Sequence, residues 1–144
     1  MQQHFIKIGA DGAQLPADAK DHVAVLDQRT GLIWSAGFIS PKRLTYAKAK
    51  EACAALELAS AADWRLPEVE ELFALCDRSR YAPAIDTEAF PGVDGDWCWT
   101  STVDAEAPSS YAWLVDLHDG DALINFQDGS GRVLACRRAA PASQ

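Results

Sequence analysis

Basic residues are missing from a long stretch of this chain. No Lys or Arg lies between Tyr81 and Gly131, although the 144-residue sequence has 13 of them in total and a formal net charge of −8. Proteins that bind DNA or RNA present a clustered basic surface. The sequence therefore argues against direct nucleic-acid binding and favours either solvated turns or an acidic surface for a basic partner or a cation. The acids of this stretch are Asp86, Glu88, Asp94, Asp96, Asp104, Glu106, Asp116, Asp119, Asp121 and Asp128.

Long apolar runs are absent as well. No segment approaches the roughly 20 apolar residues that span a bilayer, and residues 1–7 lack the apolar run of a secretory signal. We therefore expect a cytoplasmic protein without a membrane partner, with a virion or an extracellular location as the alternative. The length suits one domain. We expect residues 21–138 to form it, after an N-terminal extension or edge strand over 1–20 and before a tail over 139–144.

Motifs for metal binding and catalysis are also scarce. The four cysteines are too widely spaced for a zinc ribbon or a Cys-x-x-Cys redox pair, and no calcium-loop or phosphate-binding glycine motif is present. The three histidines occur singly, without the partners of a catalytic triad. The sequence predicts no enzyme, no cofactor and no metal site.

Apolar periodicity predicts two helices. The first is capped by Thr45, and the second begins with Pro67 at its first helical position, followed by an acidic first turn. Each has apolar residues at helical spacing, which predicts one buried face per helix. The predicted buried faces are Ala49, Ala52, Cys53 and Leu56 in the first helix, and Val69, Leu72, Phe73 and Cys76 in the second.

Strand patterns surround the two helices. Residues 23–26 and 32–34 flank a turn that ends at Gly31, which predicts a hairpin. Four further strands are predicted as a meander over 97–102, 111–117, 122–126 and 133–137. The fold class is therefore α+β, with two helices packed on a small, mostly antiparallel sheet. A short edge strand is predicted at residues 5–8.

The aromatic residues and one arginine have expected structural roles. We expect Trp64, Trp99 and Trp113 to be core residues and Trp97, which follows Asp94-Gly95-Asp96, to be exposed. Within the motif Trp64-Arg65-Leu66-Pro67, we expect Arg65 to pair with a carboxylate or to cap carbonyl groups. This motif is interpreted as part of the scaffold.

Ordered blocks of the chain resemble the Lcl C-terminal domain, which is found at the C-terminus of bacterial collagen-like adhesins. The blocks run from about residue 23 to residue 138. The resemblance implies a C-type-lectin-like fold related to that of the formylglycine-generating enzymes, and it implies a candidate disulfide between Cys53 and Cys136. The blocks are Asp27-x-x-Thr30-Gly31-Leu32-x-Trp34, Thr45-Tyr46-x-x-Ala49-x-x-x-Cys53-x-x-Leu56, Asp63-Trp64-Arg65-Leu66-Pro67-x-x-x-Glu71-Leu72, Phe90-Pro91, Trp99-Thr100-Ser101-Thr102, Ala112-Trp113-x-Val115-x-Leu117-x-x-Gly120 and Val133-x-x-Cys136-Arg137.

The resemblance implies a binding module rather than an enzyme. We expect it to recognise a protein or glycan ligand, in adhesion or receptor recognition on a cell or a phage particle, through acidic loops. One alternative is an intracellular, phage-encoded inhibitor or regulator that binds a basic protein surface. A redox enzyme of the formylglycine-generating type is the less favoured alternative. Adhesin members bind sulfated polysaccharides, which the acids here disfavour. The expected ligand-binding residues are Asp94, Asp96, Trp97, Asp104, Glu106, Tyr111, Asp119 and Asp121.

Overall fold

The computed structural model describes residues 4–139. They form two helices and seven strands, so the expected α+β class with two helices is confirmed. The expectation of one sheet is wrong, because the strands form two antiparallel sheets. The elements are β1 (Phe5–Ile8), β2 (Ala24–Asp27), β3 (Leu32–Ser35), α1 (Tyr46–Ala55), α2 (Val69–Leu75), β4 (Trp97–Val103), β5 (Tyr111–Asp116), β6 (Asp121–Phe126) and β7 (Cys136–Arg138). Residues 140–144 of the expected tail lie outside the described residues.

The four-stranded sheet has the order β1-β2-β3-β7. The predicted hairpin is its centre, with Val25 paired to Trp34 and Gly31 closing the turn at a φ of 78°. That positive φ suits glycine because it has no Cβ to clash with the backbone. The last strand is shorter than the sequence pattern indicated, because the chain from Gly131 to Ala135 runs between the two sheets. Arg132 there exchanges backbone hydrogen bonds with β4.

The three-stranded sheet has the order β4-β5-β6 and contains the acidic stretch. Trp97 pairs with Asp116, which pairs with Asp121, so these three residues lie at one end of the sheet, called here the Trp97 end. Tyr111 pairs with Phe126 at the opposite end, called here the Tyr111 end. The register between β5 and β6 is continuous over all six residues of each strand.

The helices begin with different caps. Thr45 caps α1 and accepts a hydrogen bond from the Lys48 N–H. The expected start of α2 at Pro67 is wrong. Glu68 is the N-cap, and it forms a reciprocal capping box with Glu71, which places Pro67 before the helix. The expected burial of Phe73 is also wrong, since Phe73 is 41% exposed while Leu72 and Leu75 face the core.

Two clusters of buried residues make up the core. One joins α2 to the four-stranded sheet, β4 and β5, and contains Trp34 and Phe90. The other joins α1 to both sheets around Trp64 and Trp99. The expectation that Trp113 belongs to the core is wrong, because it is half-buried and lines a surface groove. None of the helices in the described part of the chain is long and apolar enough to cross a membrane.

Candidate functional site

The structure divides the expected ligand-binding residues into two groups. Asp94, Asp96, Trp97, Asp119 and Asp121 belong to the Trp97 end of the three-stranded sheet, and Asp104, Glu106 and Tyr111 belong to the Tyr111 end. A strand of six residues separates the two ends, which corresponds to about 17 Å between the first and last residue. The eight residues therefore do not converge on one compact site.

Arginines from elsewhere in the chain pair with two of the acids at the Trp97 end. Arg43 binds Asp96 through two hydrogen bonds, and Arg132 lies 3.8 Å from Asp96 and 3.7 Å from Asp94. The Arg132 guanidinium also stacks 4.0 Å from the ring centroid of Phe38. Burial opposes the ionisation of Asp96, but the bonds from Arg43 and the Trp97 N–H, with the charge of Arg132, leave its pKa below the ordinary value. Asp96 therefore has a structural role.

The turn between β5 and β6 is held by local bonds. Asp119 accepts a hydrogen bond from the backbone N–H of Asp121 at 3.3 Å. Arg78, from the segment after α2, donates to the Gly120 carbonyl at 2.8 Å and lies 3.8 Å from the ring centroid of Phe73. A third arginine thus lies beside the acidic stretch at this end.

The Tyr111 end has a different character. Asp104, Glu106 and Asp128 make no ion pair with any residue of the 4–139 range. The rings of Tyr111 and Phe126 lie 4.8 Å apart at an angle of 35°, and Phe126 is 55% exposed. The Tyr111 end thus combines carboxylates without cation partners with an exposed aromatic pair, which makes it the candidate binding surface.

An open cleft of about 550 Å³ lies beside this aromatic pair. It is formed where the start of α1 meets the ends of β5 and β6, because the backbone N–H of Tyr46 donates to the carbonyl of Gln127 at 3.0 Å. The Gln127 amide donates to the carbonyls of Pro108 and Tyr111, which fixes the loop before β5. The lining residues are Thr45, Ala47, Ser109, Ser110, Tyr111, Phe126, Gln127 and Asp128.

Sequence reasoning identified only Tyr111 among these lining residues as part of the site. Phe126 and Asp128 were assigned to a strand and a turn, and Thr45 to a helix cap. A signal for Phe126 was present, because its alternation with Ile124 in β6 puts it on the same face as its cross-strand neighbour Tyr111. The approach of α1 to this end depends on tertiary packing and left no local pattern.

The Trp64-Arg65-Leu66-Pro67 motif connects α2 to β7. Arg65 forms a bidentate ion pair with Glu71, with distances of 2.9 and 3.0 Å, and its backbone pairs with Cys136. Glu71 also accepts the Glu68 N–H at 2.8 Å. The hydrogen bonds from Arg65 lower the pKa of Glu71 against the opposing effect of burial. The motif therefore fixes the start of α2 against the four-stranded sheet.

The four cysteines are buried free thiols in this structure. Burial raises the pKa of Cys53 and of Cys136 to about 12 and that of Cys76 to about 11. A nucleophilic cysteine needs the opposite shift, because the thiolate is the reactive form. The disulfide between Cys53 and Cys136 that the resemblance implies stays a prediction.

No cluster of three or more His, Cys, Asp or Glu within residues 4–139 could hold a metal ion. The Nε2 of His22 is 2.8 Å from the Ala89 carbonyl, and the ring of His118 packs edge-on against that of Tyr81. Both contacts are structural in character.

The sequence matches one known family over most of its length. Residues 23–137 match the model of the family described as the Lcl C-terminal domain. Because this match covers more than half of the chain, the chain belongs to that family. No match to an individual curated protein accompanies it.

Proposed function

We propose that this member of the Lcl C-terminal domain family is a non-enzymatic binding module of the adhesin type, on a C-type-lectin-like scaffold, and that it binds a neutral glycan at the Tyr111 end. The observation that carries the proposal is the exposed Tyr111–Phe126 ring pair beside an open cleft whose lining combines apolar surface with polar side chains. Ligand sites combine apolar and aromatic surface with a few placed polar groups, and this cleft has that composition.

The chemistry of the cleft suits a sugar. The C–H faces of a sugar ring pack against aromatic rings, and its hydroxyl groups need both donors and acceptors. Hydroxyls of Ser109 and Ser110 can do both, and the Asp128 carboxylate is an acceptor without a cation partner in the described range. Asp104 and Glu106 add negative charge at this end, which favours a neutral glycan over a sulfated one.

The state of the cysteines supports a binding role over a redox one. Oxidation of the formylglycine-generating type needs reactive thiols in an open groove, whereas all four thiols here are buried and three have pKa values of about 11 to 12. At neutral pH these thiols are protonated and unreactive.

A glycan array that includes neutral and sulfated oligosaccharides tests the proposal. We expect binding to neutral glycans and a loss of affinity of about tenfold or more in Tyr111→Ala and in Phe126→Ala, since about 1.4 kcal/mol of lost contact corresponds to that factor. Trp97→Ala is the matched control, because Trp97 is a partly exposed aromatic of the same sheet at the other end. It should leave the affinity unchanged.

Three results would contradict this function. They are binding to sulfated glycans alone, equal loss of affinity in the Trp97 control, and absence of any glycan binding at millimolar concentration. Absence of glycan binding would favour the alternative role, as a regulator of a basic protein, if the domain also captures basic proteins and if Asp104→Lys and Glu106→Lys abolish that capture.

A further inference from the structure

Strand β6 has an open edge. The backbone N–H of Gln127 bonds the Ser110 carbonyl, so in this antiparallel ladder the odd-numbered residues of β6 direct their backbone groups to β5 and the even-numbered ones direct theirs outward. The outward groups of Phe126 have local partners: its N–H donates to the Asn125 Oδ1, and its carbonyl accepts from the Gly129 N–H. Ala122 and Ile124 have no partner on the outer side within residues 4–139.

The other three outer strands of the two sheets are covered. Lys7 of β1 accepts from the Leu15 N–H, and Cys136 of β7 exchanges two backbone bonds with Arg65. On β4, Trp97 and Trp99 bond Arg132, and Ser101 donates to Pro67. Folded proteins normally protect an edge with charge, proline, a bulge or a covering segment. Between its terminal Asp121 and Phe126, β6 has none of these protections.

The sheet face beside this edge is apolar and only half covered. Helix α2 has seven residues and is about 10 Å long, whereas the strands beneath it are nearly twice that length, and the N–H of its first residue Val69 donates to the Thr102 Oγ1 of β4. The helix therefore leaves part of this face uncovered. Val69 and Phe73 of α2 line a groove with Trp113 and Ala122. Ile124 is 42% exposed next to this groove. A strand added at β6 would therefore bond the open backbone groups of the edge, and its side chains would lengthen the apolar face.

We propose that β6 binds an extended segment of a separate protein as an additional strand, and that this segment has apolar residues at alternate positions and Lys or Arg at both ends. Such strand addition gives affinity through the backbone and specificity through alternate side chains. The terminal charges complement Asp121 and Asp128, which flank the edge, and Glu70 on the rim of the groove. These three acids have no cation partner in the described range.

Charge argues against a second copy of this chain as the occupant. An antiparallel pairing of two β6 strands centred on Ile124 would place Asp121 of one copy close to Asp128 of the other, and the reverse. Neither acid has a cation partner within residues 4–139 to offset this repulsion. Like charges placed opposite each other destabilise a strand pair.

A synthetic peptide provides the test. The probe is the capped peptide Arg-Val-Thr-Val-Thr-Val-Lys, and the matched control has Glu at both ends. We expect only the basic peptide to bind by calorimetry, and at saturation we expect amide exchange at Ala122 and Ile124 to slow about tenfold or more. Raising the salt concentration should weaken this binding.

Two changes isolate the backbone contribution. Ile124→Pro removes an outward N–H without removing a bond to β5, and Ile124→Thr keeps that N–H as the control. The proline variant could lose the fold, so a second probe is tested on the unaltered protein. In this probe the backbone nitrogens of the valines that would bond β6 are N-methylated, which removes their N–H donors. We expect each change to weaken binding about tenfold, the effect of losing one or two backbone hydrogen bonds.

Several results would overturn the inference. They are unchanged exchange at Ala122 and Ile124 with the basic peptide, equal binding of the N-methylated probe, and equal binding of the acidic-ended peptide. If sedimentation equilibrium shows a dimer and Ile124→Pro abolishes it, the occupant of the β6 edge is a second copy of this chain and not a separate protein. Glycan binding at the cleft should survive Ile124→Thr, so this inference and the proposed function can fail independently.

Discussion

The two ends of the three-stranded sheet are both acidic in sequence and differ in structure. At the Trp97 end, Arg43 and Arg132 surround Asp96, and Arg78 closes the turn at Gly120. At the Tyr111 end, Asp104, Glu106 and Asp128 have no such partner within residues 4–139, and Phe126 is exposed. After folding, a run of like charges along the chain thus becomes one region in which arginines pair with some of the acids and one region in which none of the three acids has such a partner among the described residues.

The difference indicates which end is available for binding. A carboxylate that is held by two arginines loses that pairing if it turns to a ligand, and the cost is large when the arginines are partly buried. A carboxylate without a partner has no such cost. The Trp97 end therefore supports the fold, and the Tyr111 end and the open edge of β6 are the surfaces where ligand contacts are least opposed.

The largest effect that would test this comparison comes from Asp96→Ala. Asp96 is 15% exposed and Arg132 is 18% exposed, so removing the carboxylate leaves a partly buried cation with only the exposed Asp94 as a counter-charge, and it also removes the two hydrogen bonds from Arg43. We expect the free energy of unfolding to fall by about 2–3 kcal/mol, below the cost of breaking a fully buried pair. Urea denaturation measures it. Asp104→Ala is the control and should lie within about 0.5 kcal/mol of the parent. Equal effects of the two changes would remove the distinction between the ends.

The same carboxylate gives a prediction about pH. The pKa of Asp96 is lowered in the folded state, so its contribution to stability is fully present above the unfolded-state value of about 3.9 and is lost as the pH falls through the folded-state value. We therefore expect Asp96→Asn to lose less stability than the parent between pH 6 and pH 3. Chemical denaturation at each pH measures this, and parallel curves for the two proteins would contradict it.

Local interactions explain what could be predicted from the sequence. The Thr45 cap and the buried Ala49 and Cys53 of α1 follow from spacing within one helix. The hairpin at Gly31 follows from its turn residues. The family resemblance rested on blocks of this kind, and the match over residues 23–137 confirms it.

What the sequence did not reveal depends on contacts between distant residues. Arg43 and Asp96 are 53 positions apart, so nothing local indicates their pairing. The start of α2 is a different case, because the contacts that set it are local: Glu71 accepts the Glu68 N–H three positions earlier and pairs with Arg65 six positions earlier, so the helix starts after Glu68 and not at Pro67. Trp113 is half-buried in a groove that it lines with Val69 and Phe73 of α2. Alternation along β5 shows on which face Trp113 lies, but not how far a distant helix covers that face.

The smallest effect concerns charge reversal at one exposed residue of each end. Asp94 is 66% exposed and lies 3.7 Å from Arg132, so Asp94→Lys replaces a weak attraction with a repulsion. We expect a loss of about 0.5–1 kcal/mol in unfolding free energy, typical of exposed pairs.

Glu106→Lys is the control. Glu106 is exposed and has no cation partner among the described residues, so this change should alter stability by less than about 0.5 kcal/mol. Urea denaturation at low and high salt would resolve the two, because screening should shrink only the Asp94 effect. A larger effect at Glu106 would show that the Tyr111 end also contributes its charge to the fold, and would weaken its assignment as the binding surface.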